Sequence, residues 1–245
     1  MKKGKDNNEN LMIDLEKVNI ERNLVECEQY DKSIKVIILG DSYVGKSSLI
    51  NRLINNKFVE LSSTLSIEYH TYIISINDFK LRMQIWDTAG QEKYNSIISN
   101  YYKGTDVAIF VYSIDKEESF QNVEMWFKNL KENNNSSLNI LIGNKKDLEK
   151  EEGGRIVKEE KAEKFAEDNG FFYFSEISCK NKEQYEIDRI YDVFDEIGKH
   201  FYEKSKDEKM FESVNYNVSE SMRSLGEKHR IKKIMQIKRK NAVDK

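Results

Sequence analysis

Two patterns of apolar residues follow each other along the middle of this chain. From Phe79 to Ile85, apolar residues take every second position, which is typical of a strand that buries one face. Residues 69–76 show a similar alternation, and the pair Asn77-Asp78 lies between the two segments. Because Asn and Asp favour turns, these features predict an antiparallel hairpin.

Other apolar runs do not alternate, as is typical of parallel strands that are covered on both faces. They occupy residues 33–39, 107–112, 139–143 and 171–177. Helical stretches are predicted near residues 46–56, 117–133, 157–169 and 185–204. This order predicts an α/β fold, a doubly wound, mostly parallel six-stranded sheet with one antiparallel hairpin strand.

The two ends lack this pattern, so we divide the chain into residues 1–31, a core of 32–204, and residues 205–245. The first segment carries a weak apolar series, Leu11, Leu15, Val18 and Val25. A partly disordered extension and a docking helix both fit that series. The last segment is predicted to be a flexible basic tail. It is either solvated or a helix that presents Ile231 and Ile234 to a membrane between lysines.

Composition narrows the function classes. Hydrophobic residues make up 38% and charged residues 34%, and no apolar run approaches the roughly 20 residues of a membrane-spanning helix. The polar start does not resemble a secretory signal. The net charge of −3 argues against nucleic-acid binding. Two distant cysteines, Cys27 and Cys179, predict no disulfide framework, and we expect a cytoplasmic location.

The strongest chemical motif is Gly40-Asp41-Ser42-Tyr43-Val44-Gly45-Lys46-Ser47, which matches G-x-x-x-x-G-K-S. It follows a predicted strand and opens a predicted helix, the context of a phosphate-binding loop. Glycines let backbone N–H groups surround phosphates, and the helix N-terminus adds positive potential. Lys46 is expected to neutralise the outer phosphates, and the Ser47 hydroxyl to bind Mg²⁺. A chance glycine turn before Lys-Ser is the alternative.

Two further blocks follow predicted strands. Asp87-Thr88-Ala89-Gly90-Gln91 offers a carboxylate for Mg²⁺, a glycine for close approach to a γ-phosphate, and a glutamine that could orient water. Asn144-Lys145-Lys146-Asp147 offers a carboxylate that can accept hydrogen bonds from guanine N1–H and its 2-amino group. Because adenine lacks that donor pair, the three blocks together predict a GTPase site.

On these motifs the chain resembles a Ras-superfamily small GTPase, a P-loop fold, and most of all its Rab branch, across residues 32–204. The superfamily blocks are GDSYVGKS, Thr64, WDTAGQE (86–92), NKKD (144–147) and Ser178-Cys179-Lys180. The Rab-like segments are Leu65–Tyr69, RMQIW (82–86), Tyr101–Gly104 and FVYSID (110–115). The resemblance implies a GTP/GDP switch that regulates vesicle traffic.

The resemblance also assigns roles to residues. Gln91 and Lys46 would be catalytic, and Ser47, Thr64 and Asp87 would ligate Mg²⁺. The nucleotide would contact Asp41, Ser42, Tyr43, Val44, Gly45, Lys46, Ser47, Ser48, Phe58, Thr64, Gly90, Asn144, Lys145, Asp147, Ser178, Cys179 and Lys180. Phe58 and Lys145 would flank the guanine ring, and residues 178–180 would reach its oxygen through backbone N–H groups.

The implied partners are an exchange factor, a GTPase-activating protein and effectors. The effectors would bind the two switch loops, around residues 58–69 and 88–102, and the side chains of Tyr69, Trp86 and Tyr101. Ordinary packing is the alternative role of these three aromatic residues. We expect a monomer that contacts the cytosolic face of endomembranes, with the basic tail as a peripheral anchor.

Some positions depart from the Rab pattern. Ser66 replaces a glycine, and Tyr43 is bulky for its loop, where it either points outward or crowds the γ-phosphate. No cysteine follows Cys179, whereas Rab-like proteins usually end in prenylated cysteines. Absence of prenylation and a sequence that is cut short both stay open. Tyr43 and the altered segment around Ser66 motivate a second hypothesis, a GTP-locked binding module that does not hydrolyse GTP. An ATP-using P-loop enzyme is a third, which Asp147 disfavours.

The role assigned to Gln91 can be tested by Gln91→Leu. This change should abolish the hydrolysis that an activating protein stimulates, a gain of about 10³–10⁵ in rate in enzymes of this class, Ras included. Nucleotide binding should persist, since Gln91 orients water and does not hold phosphate. Single-turnover hydrolysis and GDP affinity measure the two properties, and unchanged stimulated turnover would remove Gln91 from this role.

Overall fold

A seven-stranded sheet forms the centre of the fold in the computed structural model, which describes residues 19–22, 29–59, 67–88, 100–134 and 136–210. The strands are β1 (Ile20–Arg22), β2 (Lys32–Leu39), β3 (Glu68–Ile76), β4 (Phe79–Asp87), β5 (Val107–Ser113), β6 (Leu138–Asn144) and β7 (Tyr173–Glu176). The helices are α1 (Lys46–Asn55), α2 (Glu117–Asn133), α3 (Glu159–Asp168) and α4 (residues 184–210), with a short 3₁₀ helix at Lys146–Lys150.

The strands lie in the order β1-β3-β4-β2-β5-β6-β7. The five strands from β4 to β7 in this order pair in parallel, whereas β3 runs antiparallel to β4 and to β1. The predicted hairpin is formed by β3 and β4, with Asn77-Asp78 at its turn. The predicted mostly parallel α/β sheet is confirmed.

The predicted strand count of six is wrong by one. The additional strand β1 has only three residues, of which Glu21 and Arg22 are exposed. Three residues are too few to show the alternation of apolar and polar side chains that marks a strand in the sequence. The apolar series from Leu11 to Val25 lies outside the described residues, and the division at residues 31 and 204 stays a prediction.

Buried apolar residues surround the sheet, and its strands differ in burial as their position requires. All seven residues of β5 are buried, whereas buried and half-buried residues alternate along β4. Trp126 and Phe120 of α2 lie in one core cluster with Phe110 of β5. Phe110 also contacts Phe127 and Phe171 at ring-centroid distances of 5.7 and 5.5 Å. This packing holds the parallel strands and their loops in place.

The chain divides into two compact units, Met1–Asp195 and Glu196–Lys245. The first contains the whole described sheet, and the described part of the second, residues 196–210, is helical. Within the described residues, no helix combines the length and the apolar character needed to cross a membrane.

β1 is attached by a buried carboxylate as well as by the sheet. Arg22 donates from Nη2 to Asp195 Oδ2 at 2.5 Å and from Nε to Oδ1 at 3.1 Å. The Asp195 side chain is only 5% exposed, and the guanidinium also lies 5.2 Å from the ring centre of Tyr191. Hydrogen bonds between Asn19 and Asn77 extend the strand.

Arg22→Ala should therefore destabilise the protein. The change leaves the buried Asp195 carboxylate without this bidentate partner, and we expect a loss of about 1–2 kcal/mol in the free energy of unfolding. Urea denaturation measures it, with Glu21→Gln on the same exposed strand as the control. An equal, negligible effect of both variants would show that the ion pair does not hold β1.

Candidate nucleotide-binding site

The motifs predicted from the sequence meet at one edge of the sheet. The phosphate loop follows β2, Asp87 ends β4, Asn144 ends β6, and the loop 178–181 comes shortly after β7. These four strands are parallel, so their carboxyl ends lie on the same side, where open α/β sheets bind ligands.

Two glycines of the phosphate loop are required by space. Gly40 has φ of 139°, and a Cβ there would lie 2.1 Å from the carbonyl oxygen of Val111. Gly45 has φ of 99°, and a Cβ there would lie 2.1 Å from Asn144 Nδ2. L-amino acids with side chains rarely adopt such dihedral angles, so the loop path depends on both glycines.

Lys46 lies inside this loop. Its ammonium donates to the carbonyl oxygens of Gly40 and Asp41, both at 2.9 Å. Burial lowers the pKa of Lys46 to about 8, against the opposing effect of Asp87 and Asp41. A phosphate anion would add negative charge beside this buried ammonium.

Asp41 and Tyr43 turn their side chains away from the loop interior. The Asp41 carboxylate accepts hydrogen bonds from Asn122 Nδ2 at 2.8 Å and from Trp126 Nε1 at 2.9 Å, both on α2. Tyr43 has φ of 64° and is 65% exposed, so its ring points outward. Neither Asn122 nor Trp126 was predicted from the sequence, where they form part of the ordinary apolar and polar pattern of a helix.

Ser47 and Asp87 form the part of the site that would suit a metal ion. The Ser47 hydroxyl donates to Asp87 Oδ2, while Asp87 Oδ1 is buried without a hydrogen-bond partner among the described residues. Burial is the main cause that raises the pKa of Asp87. A hydroxyl beside an unsatisfied carboxylate oxygen fits Mg²⁺, which takes one or two protein ligands plus phosphate and water oxygens.

The side chain of Asn144 joins the phosphate loop to the loop 178–181. Its Nδ2 donates to the Val44 carbonyl at 2.8 Å, and its Oδ1 accepts from the Cys179 backbone N–H at 3.2 Å. Asn144 is 2% exposed, so both bonds are shielded from water. The two loops therefore hold a fixed spacing.

The Asp147 carboxylate is tied to the loop 178–181 by a hydrogen bond. One of its oxygens, Oδ1, accepts from the Ser178 hydroxyl at 2.5 Å, and Ser178 Oγ accepts from the Asn181 N–H at 3.0 Å. Lys145 adopts φ of 69°, and its ammonium lies 3.6 Å from Asp115 Oδ1. Burial raises the pKa of the Cys179 thiol to about 12, so the thiol stays uncharged.

A second buried network supports the Asp147 segment. The Glu176 side chain is 0% exposed and lies 2.6 Å from Arg155 Nη2 and 3.5 Å from Lys146 Nζ. Tyr112 donates its hydroxyl hydrogen to Glu176 Oε1 at 3.2 Å. The sequence did not predict this network, since Arg155 and Glu176 carry no local motif.

Comparison with known proteins agrees with this geometry. The sequence model of the Ras family matches residues 35–203. The chain belongs to the Ras family.

Its relatives include Rab and Ypt proteins. GTP-binding protein ypt3 of Schizosaccharomyces pombe is 42% identical over 161 residues, which are 64% of this chain and 74% of that protein. Ras-related protein RABA1f of Arabidopsis thaliana is 43% identical over 148 residues (59% of this chain, 67% of that protein). Ras-related protein YPTC6 of Chlamydomonas reinhardtii is also 43% identical over 148 residues (60% and 67%). The chain is a Rab-like small GTPase.

Three aromatic residues of this Rab-like GTPase meet beside the nucleotide site. Trp86 contacts Tyr69 and Tyr101, each at a centroid distance of 5.2 Å. Tyr69 is 44% exposed, and Lys35 Nζ lies 5.8 Å from the ring centre of Trp86. The structure brings the three predicted effector residues together, and their effector role stays a prediction.

The remaining predicted site residues divide into two groups. Ser42, Ser48 and Phe58 are half-buried near the phosphate loop and α1, and Lys180 is exposed. Thr64, Ser66, Gly90 and Gln91 lie outside the described residues, so their predicted roles stay predictions.

The Glu176 network also gives a testable prediction about this GTPase. Arg155→Met leaves the buried Glu176 carboxylate with less compensation, and we expect a loss of about 3 kcal/mol in stability. GDP should also dissociate faster, because Lys146 adjoins Asp147. The control is Glu149→Gln, which removes only the half-exposed partner of Arg155 and should cost less than about 1 kcal/mol. Equal effects of the two variants on urea denaturation and GDP release would contradict this role of Glu176.

Proposed function

We propose that this GTPase is a GTP/GDP molecular switch that binds its nucleotide with Mg²⁺, hydrolyses GTP to GDP and phosphate, and regulates vesicle traffic. The main support for the nucleotide site comes from two hydrogen bonds of the Asn144 side chain, which join the phosphate loop to the loop 178–181. A ligand that contacts both loops at once needs phosphates at one end and a base at the other.

At the phosphate end, backbone N–H groups of the glycine loop and the Lys46 ammonium would hold the β- and γ-phosphates. Ser47 and Asp87 would hold Mg²⁺, with Thr64 as a further proposed ligand. The bound ion would neutralise charge on the phosphate oxygens. Gln91 would then orient the attacking water.

At the base end, Asp147 would read guanine. One oxygen of its carboxylate accepts from Ser178, and this contact fixes the plane of the group. The carboxylate then accepts from guanine N1–H and the 2-amino group. Lys145 and Phe58 would flank the two faces of the ring.

Hydrolysis without a partner should be slow. The segments 58–69 and 88–102 contain no arginine, so no residue of these loops can act as an arginine finger, and an activating protein would supply it. Release of the γ-phosphate would free both segments and end effector binding, for which Tyr69, Trp86 and Tyr101 offer a contiguous aromatic surface. We place this activity on the cytosolic face of endomembranes, with the basic tail as a peripheral contact.

The second candidate function is a GTP-locked binding module. Tyr43 motivates it, because a bulky residue in the phosphate loop could displace water from the γ-phosphate. The exposed ring of Tyr43 favours the hydrolysing switch. Single-turnover GTP hydrolysis in the presence of an activating extract separates the two, since only the switch gains rate.

The proposed function is tested by competition between nucleotides for the purified protein carrying fluorescent GDP. Unlabelled GTP and GDP should displace the label and ATP should not, because adenine lacks the donor pair that Asp147 accepts. Chelation of Mg²⁺ by EDTA should accelerate release. Displacement by ATP at concentrations similar to GTP would overturn the assignment.

Asp147→Asn should change the preferred base from guanine to xanthine. The asparagine amide keeps one acceptor for N1–H and adds a donor, which matches the oxygen at C2 of xanthine and opposes the 2-amino group of guanine. Affinity for xanthosine diphosphate should rise and that for GDP should fall by about 100-fold or more, the loss expected from about two hydrogen bonds to a charged group. Titration with both nucleotides measures this, and an unchanged preference for GDP would exclude Asp147 as the base reader.

A further inference from the structure

One buried cation near the site is left unexplained by phosphate binding. Arg52, near the end of α1, is 4% exposed. A buried guanidinium normally pairs with a carboxylate, since removing its charge from water costs several kcal/mol. The hydrogen bonds of Arg52 in the described structure are instead all made to backbone carbonyl groups.

Two of these three carbonyls, those of Cys179 and Asn181, belong to residues 178–181, the guanine loop. Arg52 donates to the Cys179 carbonyl from Nε at 3.0 Å and from Nη2 at 2.8 Å. Its Nη2 also donates to the Asn181 carbonyl at 3.1 Å, and its Nη1 to the Asn56 carbonyl at 3.1 Å. The guanidinium thus clamps the loop 178–181 onto the C-terminal end of α1.

Arg52 polarises the peptide unit formed by the Cys179 carbonyl and the Lys180 N–H. Two charge-assisted hydrogen bonds on the Cys179 carbonyl draw electron density toward its oxygen. Hydrogen-bonded amides polarise one another, which makes the N–H of the same peptide unit a stronger donor. Lys180 is one of the residues expected to face the oxygen at C6 of guanine.

The clamp also links the two ends of the site. Lys46 begins α1 and Arg52 lies six residues later on the same helix, about 9 Å along its axis. Lys46 lines the phosphate loop, and Arg52 holds the guanine loop. A rigid helix therefore sets the spacing between the phosphate and base subsites.

We propose that Arg52 is a positioning residue for guanine specificity, which holds the loop 178–181 and polarises its Cys179–Lys180 peptide unit so that the Lys180 backbone N–H binds the C6 oxygen of guanine. This inference rests on the proposed GTPase function. It assigns the recognition of C6 to Arg52 acting through the loop, separately from the recognition of N1–H and the 2-amino group by Asp147.

The test uses three diphosphates and compares ratios within each variant. GDP is compared with 6-thio-GDP, in which a weakly accepting sulfur replaces the C6 oxygen, and with inosine diphosphate, which lacks only the 2-amino group. Affinities are measured for the wild-type chain, Arg52→Gln and Arg52→Lys. Lys128→Gln, an exposed position on α2, is the control for loss of a positive charge.

We expect Arg52→Gln to reduce the preference for GDP over 6-thio-GDP by about fivefold or more, as for the loss of about one hydrogen bond. The preference for GDP over inosine diphosphate should stay unchanged, since Asp147 is intact. Arg52→Lys, which keeps the charge with fewer donors, should restore part of the lost preference. Lys128→Gln should leave both ratios at their wild-type values.

A uniform loss of affinity for all three nucleotides in Arg52→Gln would show a purely structural role and overturn the proposal. If Arg52→Gln does not fold, the ratio in Arg52→Lys decides, and a wild-type ratio there would also overturn it. Failure of the wild-type chain to bind GDP at all would contradict the proposed function itself, a result that the wild-type titration separates from the other two.

Discussion

The nucleotide site depends first on one buried amide. Asn144 lies at the carboxyl end of β6, donates to the phosphate loop at Val44 and accepts from the guanine loop at Cys179. The same side chain occupies the space that a Cβ at position 45 would need. A single side chain thus sets the path of one loop and the distance to the other. Because an unpaired buried amide is costly, both loops are held to this arrangement.

A layer of buried polar contacts extends this constraint around the site. Asp41 is held by Asn122 and Trp126 of α2, and Arg52 holds the carbonyls of Cys179 and Asn181. Glu176 anchors Arg155 and Lys146 beside Asp147. These contacts lie beneath loops that the parallel strands only bring near one another. Strand order therefore places the loops roughly, and the polar layer sets the geometry that recognition of a nucleotide requires.

The local parts of this structure could be predicted from the sequence, and the long-range parts could not. The alternation from Phe79 to Ile85 and the phosphate-loop motif depend on near neighbours, so they predicted β4 and the loop before α1. Arg52 and the Cys179 carbonyl are 127 positions apart, and Trp126 is 85 positions from Asp41. Neither pair leaves a local pattern. β1 was not predicted either, because its three residues are too few to form an apolar pattern.

The central claim is that one guanine nucleotide spans the phosphate loop and the loop 178–181. Its most direct test is a crystal structure of the protein with GDP and Mg²⁺. The account predicts the diphosphate against residues 40–47, the ion beside Ser47 and Asp87, and the guanine edge on Asp147, with its C6 oxygen toward residues 179–180. A nucleotide whose base lies away from Asp147, or a separation of Asn144 from either loop on binding, would contradict it.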